Sequence, residues 1–219
     1  MGMGKDVRVA IAKRAAQEIR PGMVVNLGIG IPSLVPDYMS SKQHVFFHSE
    51  NGILGISDVP GKGEEDENLC NAGGFPVTLR NGGSYFDSSA AFGMIRSGKI
   101  DVTILGALQV STKGDLANWI VPGKKVPGMG GAMELAAKAK KVIVTMSQSD
   151  NKGLSKIVEE CTLPYTAKSC VSMIITEMAV FTIGPEGFTL RELFSPYSIE
   201  EVQKQTDADF AIADKIITL

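Results

Sequence analysis

The spacing of apolar residues alternates between helix-like and strand-like segments along the chain. Residues 5–20 carry apolar side chains at four-residue intervals, which predicts an amphipathic helix, and these are Val7, Ile11, Ala15 and Ile19. Apolar runs of four to eight residues instead predict buried strands. The same criteria predict further helices at 33–39, 87–99, 132–140 and 198–205, and strands at 23–28, 44–49, 100–110, 141–146, 172–183 with a break at Glu177, and 187–191. Residues 60–84 are predicted to be rich in loops.

This order of elements predicts an α/β fold. Strands that are apolar throughout must be covered on both faces, and helices that alternate with them can provide the cover. A chain of 219 residues is long enough for one sizeable core. We therefore expect one domain over residues 1–219, with a single open, mostly parallel sheet flanked by helices.

Composition narrows the functional classes. Hydrophobic residues make up 44%, charged residues 21%, and the net charge is −2, as in a globular protein that binds neither nucleic acid nor a membrane surface. The first 19 residues are charged throughout, so we expect neither a signal peptide nor a membrane span. Cys70, Cys161 and Cys170 lack CxxC spacing, which favours reduced thiols in a cytoplasmic protein.

Two glycine-containing loops are candidates for binding an anionic ligand. In "NLGIGIPS" (26–33), Gly28 and Gly30 follow a predicted strand, and Pro32 starts a helix whose free N–H groups favour an anion. Ser33 stands where a dinucleotide fingerprint needs a third glycine, which disfavours NAD binding. In "VPGMGGAMELA" (126–136), consecutive backbone N–H groups suit a phosphate or an oxyanion, and the glycines there are Gly128, Gly130 and Gly131. For each loop, a tight turn without a ligand is the alternative.

A third loop places a carboxylate at the exit of a buried strand. Ser49-Glu50-Asn51-Gly52 lies at the end of the strand 44–49. Asn51 and Gly52 allow the left-handed backbone that a sharp reversal requires, so Glu50 is predicted to be held on a rigid turn. Glu50 could be a general base, a metal ligand, an ion-pair partner or a nucleophile. Only His44 and His48 lie near it in sequence, and both are interpreted as core or rim histidines, so no metal site is predicted.

Three segments give the sequence a family resemblance. "SENGILG" around Glu50, "GALQVSTKGDLANWIVPGKKVPGMGGAMELA" (106–136) and "KIVEECTLPYTAKSCVSMIITEMAVF" (156–181) resemble the β subunit of family I coenzyme A transferases. This group includes succinyl-CoA:3-oxoacid and acetate or butyrate:acetoacetate CoA-transferases. The resemblance implies an α/β fold, a nucleophilic carboxylate at Glu50 and an active site shared with a homologous α subunit. We expect a separate partner, as an αβ dimer or an α2β2 heterotetramer.

The resemblance also implies a mechanism and further site residues. Glu50 would attack an acyl-CoA thioester, and a glutamyl-CoA thioester would follow in a ping-pong reaction. Backbone N–H groups near Gly131 would stabilise the oxyanion, where a β-branched side chain should block the thioester and disfavour a left-handed backbone. Asn26 and Asn118 match positions near bound CoA, with turn capping as the alternative role. No cofactor is expected, because CoA belongs to the substrate.

Several functions remain open at this point. Relatives commonly carry Met-Glu-His where this chain has Met146-Ser147-Gln148, which puts the acyl preference in doubt. The acyl group and the acceptor acid cannot be derived from the sequence, although a 3-oxoacid such as acetoacetate with succinyl-CoA or a short-chain acyl-CoA is expected. An acyl-CoA hydrolase, a non-catalytic ligand-binding subunit and a sugar-phosphate isomerase are the alternatives.

Overall fold

A computed structural model describes residues 3–39, 44–123 and 128–219. This part of the chain contains α-helices, a seven-residue 3-10 helix at Pro32–Tyr38, and strands in two sheets. The helices are α1 Lys5–Ala16, α2 Ser88–Arg96, α3 Ala132–Lys138 and α4 Ile199–Lys204. The strands are β1 Val24–Leu27, β2 Phe46–Ser49, β3 Ile53–Ile56, β4 Leu79–Tyr85, β5 Val102–Leu105, β6 Gln109–Ser111, β7 Leu116–Ala117, β8 Lys141–Thr145, β9 Ile157–Val158, β10 Met173–Ile175, β11 Ala179–Gly184, β12 Gly187–Leu193 and β13 Ala211–Thr218.

The large sheet has ten strands in the order β13-β12-β11-β10-β8-β5-β1-β2-β3-β4. Its centre is parallel, because β10, β8, β5, β1 and β2 pair in that sense. Antiparallel hairpins extend the sheet on both sides, through β11 and β12 at one end and β3 and β4 at the other. The predicted open, mostly parallel sheet is confirmed, and the carboxyl ends of β1, β2 and β5 meet at one edge.

Continuous apolar strands arise because both faces of this sheet are buried. The neighbouring residues Ile143 and Val144 on β8 belong to different hydrophobic clusters. Ile143 packs with Ile11 and Ala15 of α1, whereas Val144 packs with Leu190 and other residues on the opposite face. A strand with helices on only one side would show alternating polarity instead.

The predicted strand over 100–110 is wrong in one respect, because it forms two strands in different sheets. β5 lies at the centre of the large sheet, and β6 pairs with β7 and β9 in a small three-stranded sheet. The prediction of a single sheet therefore describes the large sheet and misses the small one. An apolar run marks burial, but it does not mark the point where the hydrogen-bonding partner changes.

The sequence pattern also misses strands that depend on pairing. β3 and β4 form a hairpin extension of the sheet, although residues 79–84 are predicted to be loop. β4 contains Gly82 with φ +83°, and β13 at the opposite edge is mostly exposed. Such edge strands form because a neighbouring backbone supplies hydrogen-bond partners, and their own composition carries little strand signal.

A buried ionic network fastens α1 to the sheet. Arg14 donates from Nε and Nη2 to the two carboxylate oxygens of Glu192 on β12, at 2.6 and 2.7 Å. Its Nη1 donates to Glu18 at 2.7 Å, and Lys141 at the start of β8 donates to the same carboxylate at 2.6 Å. Burial alone would raise the pKa of Glu18, but the hydrogen bonds from Lys141 and Arg14 outweigh it and lower the pKa. The network therefore joins α1, β8 and β12.

We predict that Glu192→Gln lowers the free energy of unfolding by about 3 kcal/mol, because it leaves the buried Arg14 guanidinium without its bidentate counter-ion. The measurement is equilibrium urea unfolding followed by circular dichroism. Glu186→Gln is the matched control, since Glu186 pairs with Arg191 at a similar 2.6 Å but is exposed, and its loss should cost at most about 1 kcal/mol. Equal effects of the two substitutions would contradict a structural role for the buried pair.

Candidate active site

Glu50 lies at the tip of a tight hairpin between β2 and β3. The N–H of Gly52 donates to the carbonyl of Ser49 at 3.0 Å and closes the turn. Gly52 has φ +114°, and a Cβ there would lie 2.0 Å from the carbonyl oxygen of Phe86, so no larger residue fits. The predicted rigid turn is confirmed for Gly52. Gly52 supplies the left-handed backbone of the reversal, whereas the side chain of Asn51 donates to the carbonyl of Cys70 at 2.8 Å.

Asn26 holds one oxygen of the Glu50 carboxylate. Its Nδ2 lies 3.2 Å from Glu50 Oε2 and 3.2 Å from the carbonyl oxygen of His48. β1 and β2 pair in parallel with Asn26 opposite His48, and this register brings the amide beside the residue that follows β2. Asn26 is buried, whereas Glu50 is half-buried, so the amide supports the carboxylate from inside the sheet.

His48 contacts Asn26 from the neighbouring strand. Its Nδ1 lies 3.3 Å from Asn26 Nδ2, and its ring stacks on Phe86 at a centroid distance of 6.2 Å. Burial lowers the pKa of His48, although the charge of Glu50 partly offsets this effect, so the ring is neutral near pH 7. A neutral Nδ1 can accept a hydrogen bond from the amide. The interpretation of His48 as a buried structural histidine is confirmed, but its contact with Asn26 was not predicted.

Gly131 lies against the other side of the Glu50 carboxylate. A Cβ at this position would lie 3.2 Å from Cγ and 3.3 Å from Cδ and Oε1 of Glu50. Gly131 has φ −78° as the residue before α3, so a left-handed backbone is not the reason for glycine at this position. Close approach to the carboxylate, and not backbone conformation, is the reason that glycine fits here.

Comparison with known proteins establishes the family. The coenzyme A transferase family model matches residues 8–205. The chain belongs to the coenzyme A transferase family. It is 60% identical to the β subunit of a probable coenzyme A transferase of Bacillus subtilis (strain 168), over 97% of this chain and 98% of that protein. It is 48% identical to one subunit of a probable succinyl-CoA:3-ketoacid coenzyme A transferase of the same organism, over 97% and 99% of the two chains.

A solved structure shows the same coenzyme A transferase fold at lower sequence identity. The apoenzyme of an acyl-CoA transferase from Escherichia coli O157:H7 superposes with a TM-score of 0.78 at 21% identity. The match covers 100% of this chain but only 44% of the E. coli chain. This chain therefore spans less than half the length of that transferase.

The other glycines predicted for the transferase site differ in their surroundings. The N–H of Gly28 donates to the carbonyl of Ile104 at 2.8 Å, so this residue packs against the end of β5. Gly30, Gly128 and Gly130 have φ of +95°, +101° and +53° and open space where a Cβ would lie. Pro32 starts a helix as predicted, and this helix is of the 3-10 type, whereas residues 126–127 of the last loop lie outside the described residues.

Asn118 uses its carboxamide within the chain. Nδ2 donates to the carbonyl of Gly106 at 3.2 Å, and Oδ1 accepts from the hydroxyl of Thr166 at 2.7 Å. Because Gly106 follows β5, Asn118 lies at the same sheet edge as Glu50. These bonds fit the alternative role of Asn118, in which it caps a turn within the chain. CoA binding by Asn118 stays a prediction.

The Ser147-Gln148 departure from the family pattern lies away from Glu50. Gln148 is buried after β8, where its backbone N–H donates to Glu177 at 2.9 Å and its Nε2 donates to Thr206 at 2.7 Å. β8 is three strand positions from β2 in the sheet order, roughly 14 Å at usual strand spacing. Gln148 therefore anchors the chain after α4 to the sheet and does not contact the candidate nucleophile.

Further observations concern the cysteines, metal binding and membrane spans. The three cysteines are free. Among residues 3–39, 44–123 and 128–219, no cluster of three or more His, Cys, Asp and Glu is placed to hold a metal ion, and no helix is long and apolar enough to cross a membrane.

We predict that Gly131→Ala lowers turnover by about tenfold, because the new Cβ would push the Glu50 carboxylate from its position by a few tenths of an ångström, where a displacement of about 1 Å can cost about a hundredfold. With φ −78°, alanine is tolerated by the backbone, so the free energy of unfolding should change by about 1 kcal/mol or less. Turnover and thermal unfolding are measured on the same preparation.

The matched control for this substitution is Gly93→Ala. Gly93 lies inside α2 with open space around it, so alanine should leave turnover unchanged and stabilise the helix by up to about 1 kcal/mol. A collapse of stability in Gly131→Ala in step with activity would show that Gly131 is a structural turn residue only.

Proposed function

We propose that this chain is the β subunit of a coenzyme A transferase, which moves CoA from an acyl-CoA to a free carboxylic acid through a glutamyl-CoA thioester on Glu50. Family membership and the relatives named as transferase subunits support the class of reaction. The observation that carries the assignment to Glu50 is the placement of its carboxylate, at a hairpin tip, between the amide of Asn26 and the Cα of Gly131.

Placement of this kind suits nucleophilic attack. A carboxylate on a flexible side chain is a weak nucleophile, and a fixed near-attack geometry supplies much of the acceleration. Asn26 holds Oε2, and the turn closed by Gly52 fixes the backbone of Glu50. Glu50 is half-buried, so part of its surface stays accessible to a thioester.

The proposed reaction has two symmetrical halves. Glu50 attacks the thioester carbonyl, the C–S bond breaks, and an acyl-glutamyl anhydride forms with CoA thiolate as leaving group. The thiolate then attacks the glutamyl carbonyl, which releases the first acid and leaves the glutamyl-CoA thioester. A second carboxylate reverses both steps and leaves as its CoA ester. No metal or redox cofactor takes part in this scheme.

Hydrogen-bond donors beside Glu50 would stabilise the oxyanions of these steps. The amide of Asn26 already contacts Oε2 and can donate to the same oxygen when the glutamyl carbonyl becomes tetrahedral. Backbone N–H groups near Gly131 are the proposed donors on the opposite side. Each such donor is worth roughly 3 kcal/mol of transition-state stabilisation.

The proposed substrates follow from the relatives and from the chemistry. One B. subtilis relative is named for succinyl-CoA and a 3-ketoacid, which supports a 3-oxoacid such as acetoacetate as one partner of the exchange. Both B. subtilis relatives are named as single subunits of their transferases, which supports a separate, homologous α subunit for this chain. We propose an αβ dimer or α2β2 heterotetramer, with part of the active site in the partner.

We predict that the α/β complex, incubated with acyl-CoA and no acceptor acid, carries CoA on the peptide that contains Glu50. Mass spectrometry should detect the adduct, and borohydride should reduce it and inactivate the enzyme. Glu50→Gln should be unlabelled and lose at least about 10⁴-fold in turnover, because the nucleophile is removed. Glu50→Asp should lose about a hundredfold, since its carboxylate is withdrawn by about 1 Å.

The control for this experiment is Glu134→Gln. Glu134 lies three residues after Gly131, but Arg96 holds both of its oxygens at 2.6 and 2.7 Å, so it should neither be labelled nor affect turnover strongly. Label on Glu134 or Glu177 with Glu50 unmodified would refute the assignment. Steady release of free CoA without an acceptor would indicate hydrolysis in place of transfer.

We predict that the isolated chain has little transferase activity and gains it on mixing with the α subunit, because the proposed oxyanion site spans both subunits. Activity is measured against the molar ratio of the two chains, and it should rise to a plateau at a ratio of about one. A Glu50→Gln chain mixed with the same α subunit serves as the blank. Full specific activity of the isolated chain would contradict a shared site.

A further inference from the structure

Two large apolar side chains next to the candidate nucleophile are exposed. Ile29 lies in the loop after β1 and is 68% exposed. Phe75 lies in the loop before β4 and is 57% exposed. Ile29 Cγ1 and Phe75 Cδ2 lie 3.4 and 3.2 Å from the point where a Cβ of Gly73 would be. Ile29, Gly73 and Phe75 thus form one continuous surface, here named the apolar wall.

The apolar wall is tied to both residues that flank Glu50. The hydroxyl oxygen of Ser49 accepts from the N–H of Ala72 at 3.0 Å, and the side chain of Asn51 donates to the carbonyl of Cys70 at 2.8 Å. On the other side, Ile29 follows Asn26 by three residues, and Asn26 binds the Glu50 carboxylate. These links place the wall beside the reacting group and not on a remote part of the surface.

The loop that carries Phe75 is fixed by its own hydrogen bonds. Asn71 Oδ1 accepts from the N–H groups of Gly73 and Phe75 at 2.9 and 3.1 Å, and its N–H donates to the carbonyl of Phe75 at 2.9 Å. Gly74, with φ +77°, closes the turn through its N–H to Asn71. Phe75 is therefore presented in a defined position, as a preorganised binding surface requires.

The wall offers apolar contact and no counter-charge in the described residues. Within residues 3–39, 44–123 and 128–219, no lysine or arginine bonds to Glu50 or lies over the ring of Phe75. The nearest arginine in sequence, Arg80, donates to the carbonyl of Val45 and stacks on Phe46. A second carboxylate placed against Ile29 and Phe75 would lose water without gaining a charged partner from these described residues.

We infer that the apolar wall binds the hydrocarbon part of the acyl group, so that the chain prefers short-chain monocarboxylic acyl groups over a dicarboxylic one such as succinyl. The inference rests on the proposed function and specifies its substrate class. The chemistry agrees, because a thioester carbonyl at Glu50 would direct its alkyl chain along the neighbouring surface. A methylene group in an apolar pocket changes specificity by roughly 10- to 200-fold.

The test measures the rate of CoA labelling of Glu50 in the α/β complex with butyryl-CoA and succinyl-CoA in single turnover. The unmodified complex should label at least about tenfold faster with butyryl-CoA. Phe75→Ala should lower the butyryl-CoA rate about tenfold and change the succinyl-CoA rate less than about twofold. Phe75→Lys should raise the succinyl-CoA rate and lower the butyryl-CoA rate, because it adds a cation to the wall.

Ile212→Ala is the matched control. Ile212 is an exposed apolar residue on β13, at the opposite end of the large sheet from β4, and its loss should leave both rates unchanged. Size-exclusion chromatography of each variant with the α subunit checks assembly. Phe75 is exposed and its backbone makes the loop's hydrogen bonds, so both substitutions should fold.

The outcomes separate this inference from the function on which it rests. Equal labelling by both acyl-CoAs would overturn the inference and leave the glutamyl thioester intact. If Phe75→Ala slows labelling by both acyl-CoAs equally, or if this variant no longer binds the α subunit in chromatography, the apolar wall contacts the partner. Either outcome would also overturn the inference. Absence of any adduct with either acyl-CoA would contradict the proposed function itself.

Discussion

The candidate site depends on the absence of a side chain at Gly131. The backbone before α3 approaches Glu50 so closely that a single Cβ would lie within 3.3 Å of three atoms of its side chain. A second missing side chain, at Gly52, lets the hairpin tip pass the carbonyl of Phe86. The backbone at Gly131 therefore limits the position of the carboxylate, and the carbonyl of Phe86 limits the position of the hairpin that carries it.

The parallel centre of the sheet brings the polar partners to this carboxylate. β1 and β2 are neighbours in parallel register, so Asn26 and Glu50 reach the same edge although 24 residues separate them. The network of Arg14, Glu18 and Glu192 fastens α1 across the same sheet. A rigid sheet would matter for the proposed reaction, because a carboxylate nucleophile gains its rate from position.

The surroundings of Glu50 include polar and apolar groups. Asn26 and the neutral ring of His48 provide polar contacts from inside the sheet, where burial makes each hydrogen bond costly to leave unmade. Ile29 and Phe75 expose apolar surface on loops that adjoin the same strand end and turn. In the proposed function, the polar contacts would hold the Glu50 carboxylate and the apolar wall would discriminate among acyl groups. The loop from Cys70 to Phe75 connects the two, since Ser49 and Asn51 bind it directly.

The sequence alone determined the central strands, the capped helices α2 and α4, the turn at Glu50 and the family resemblance, because these depend on local periodicity, capping side chains and motifs. Asp87 and Ser198 cap their helices as their residue types predict. Only the tertiary structure decided that residues 100–110 divide between two sheets and that β3, β4 and β13 are strands, since backbone pairing leaves little trace in composition. It also decided that Asn118 bonds within the chain, that Gly131 is needed for close approach and not for its φ, and that Ile29 and Phe75 meet. Those facts depend on distances between residues that are far apart in sequence, which no local pattern encodes.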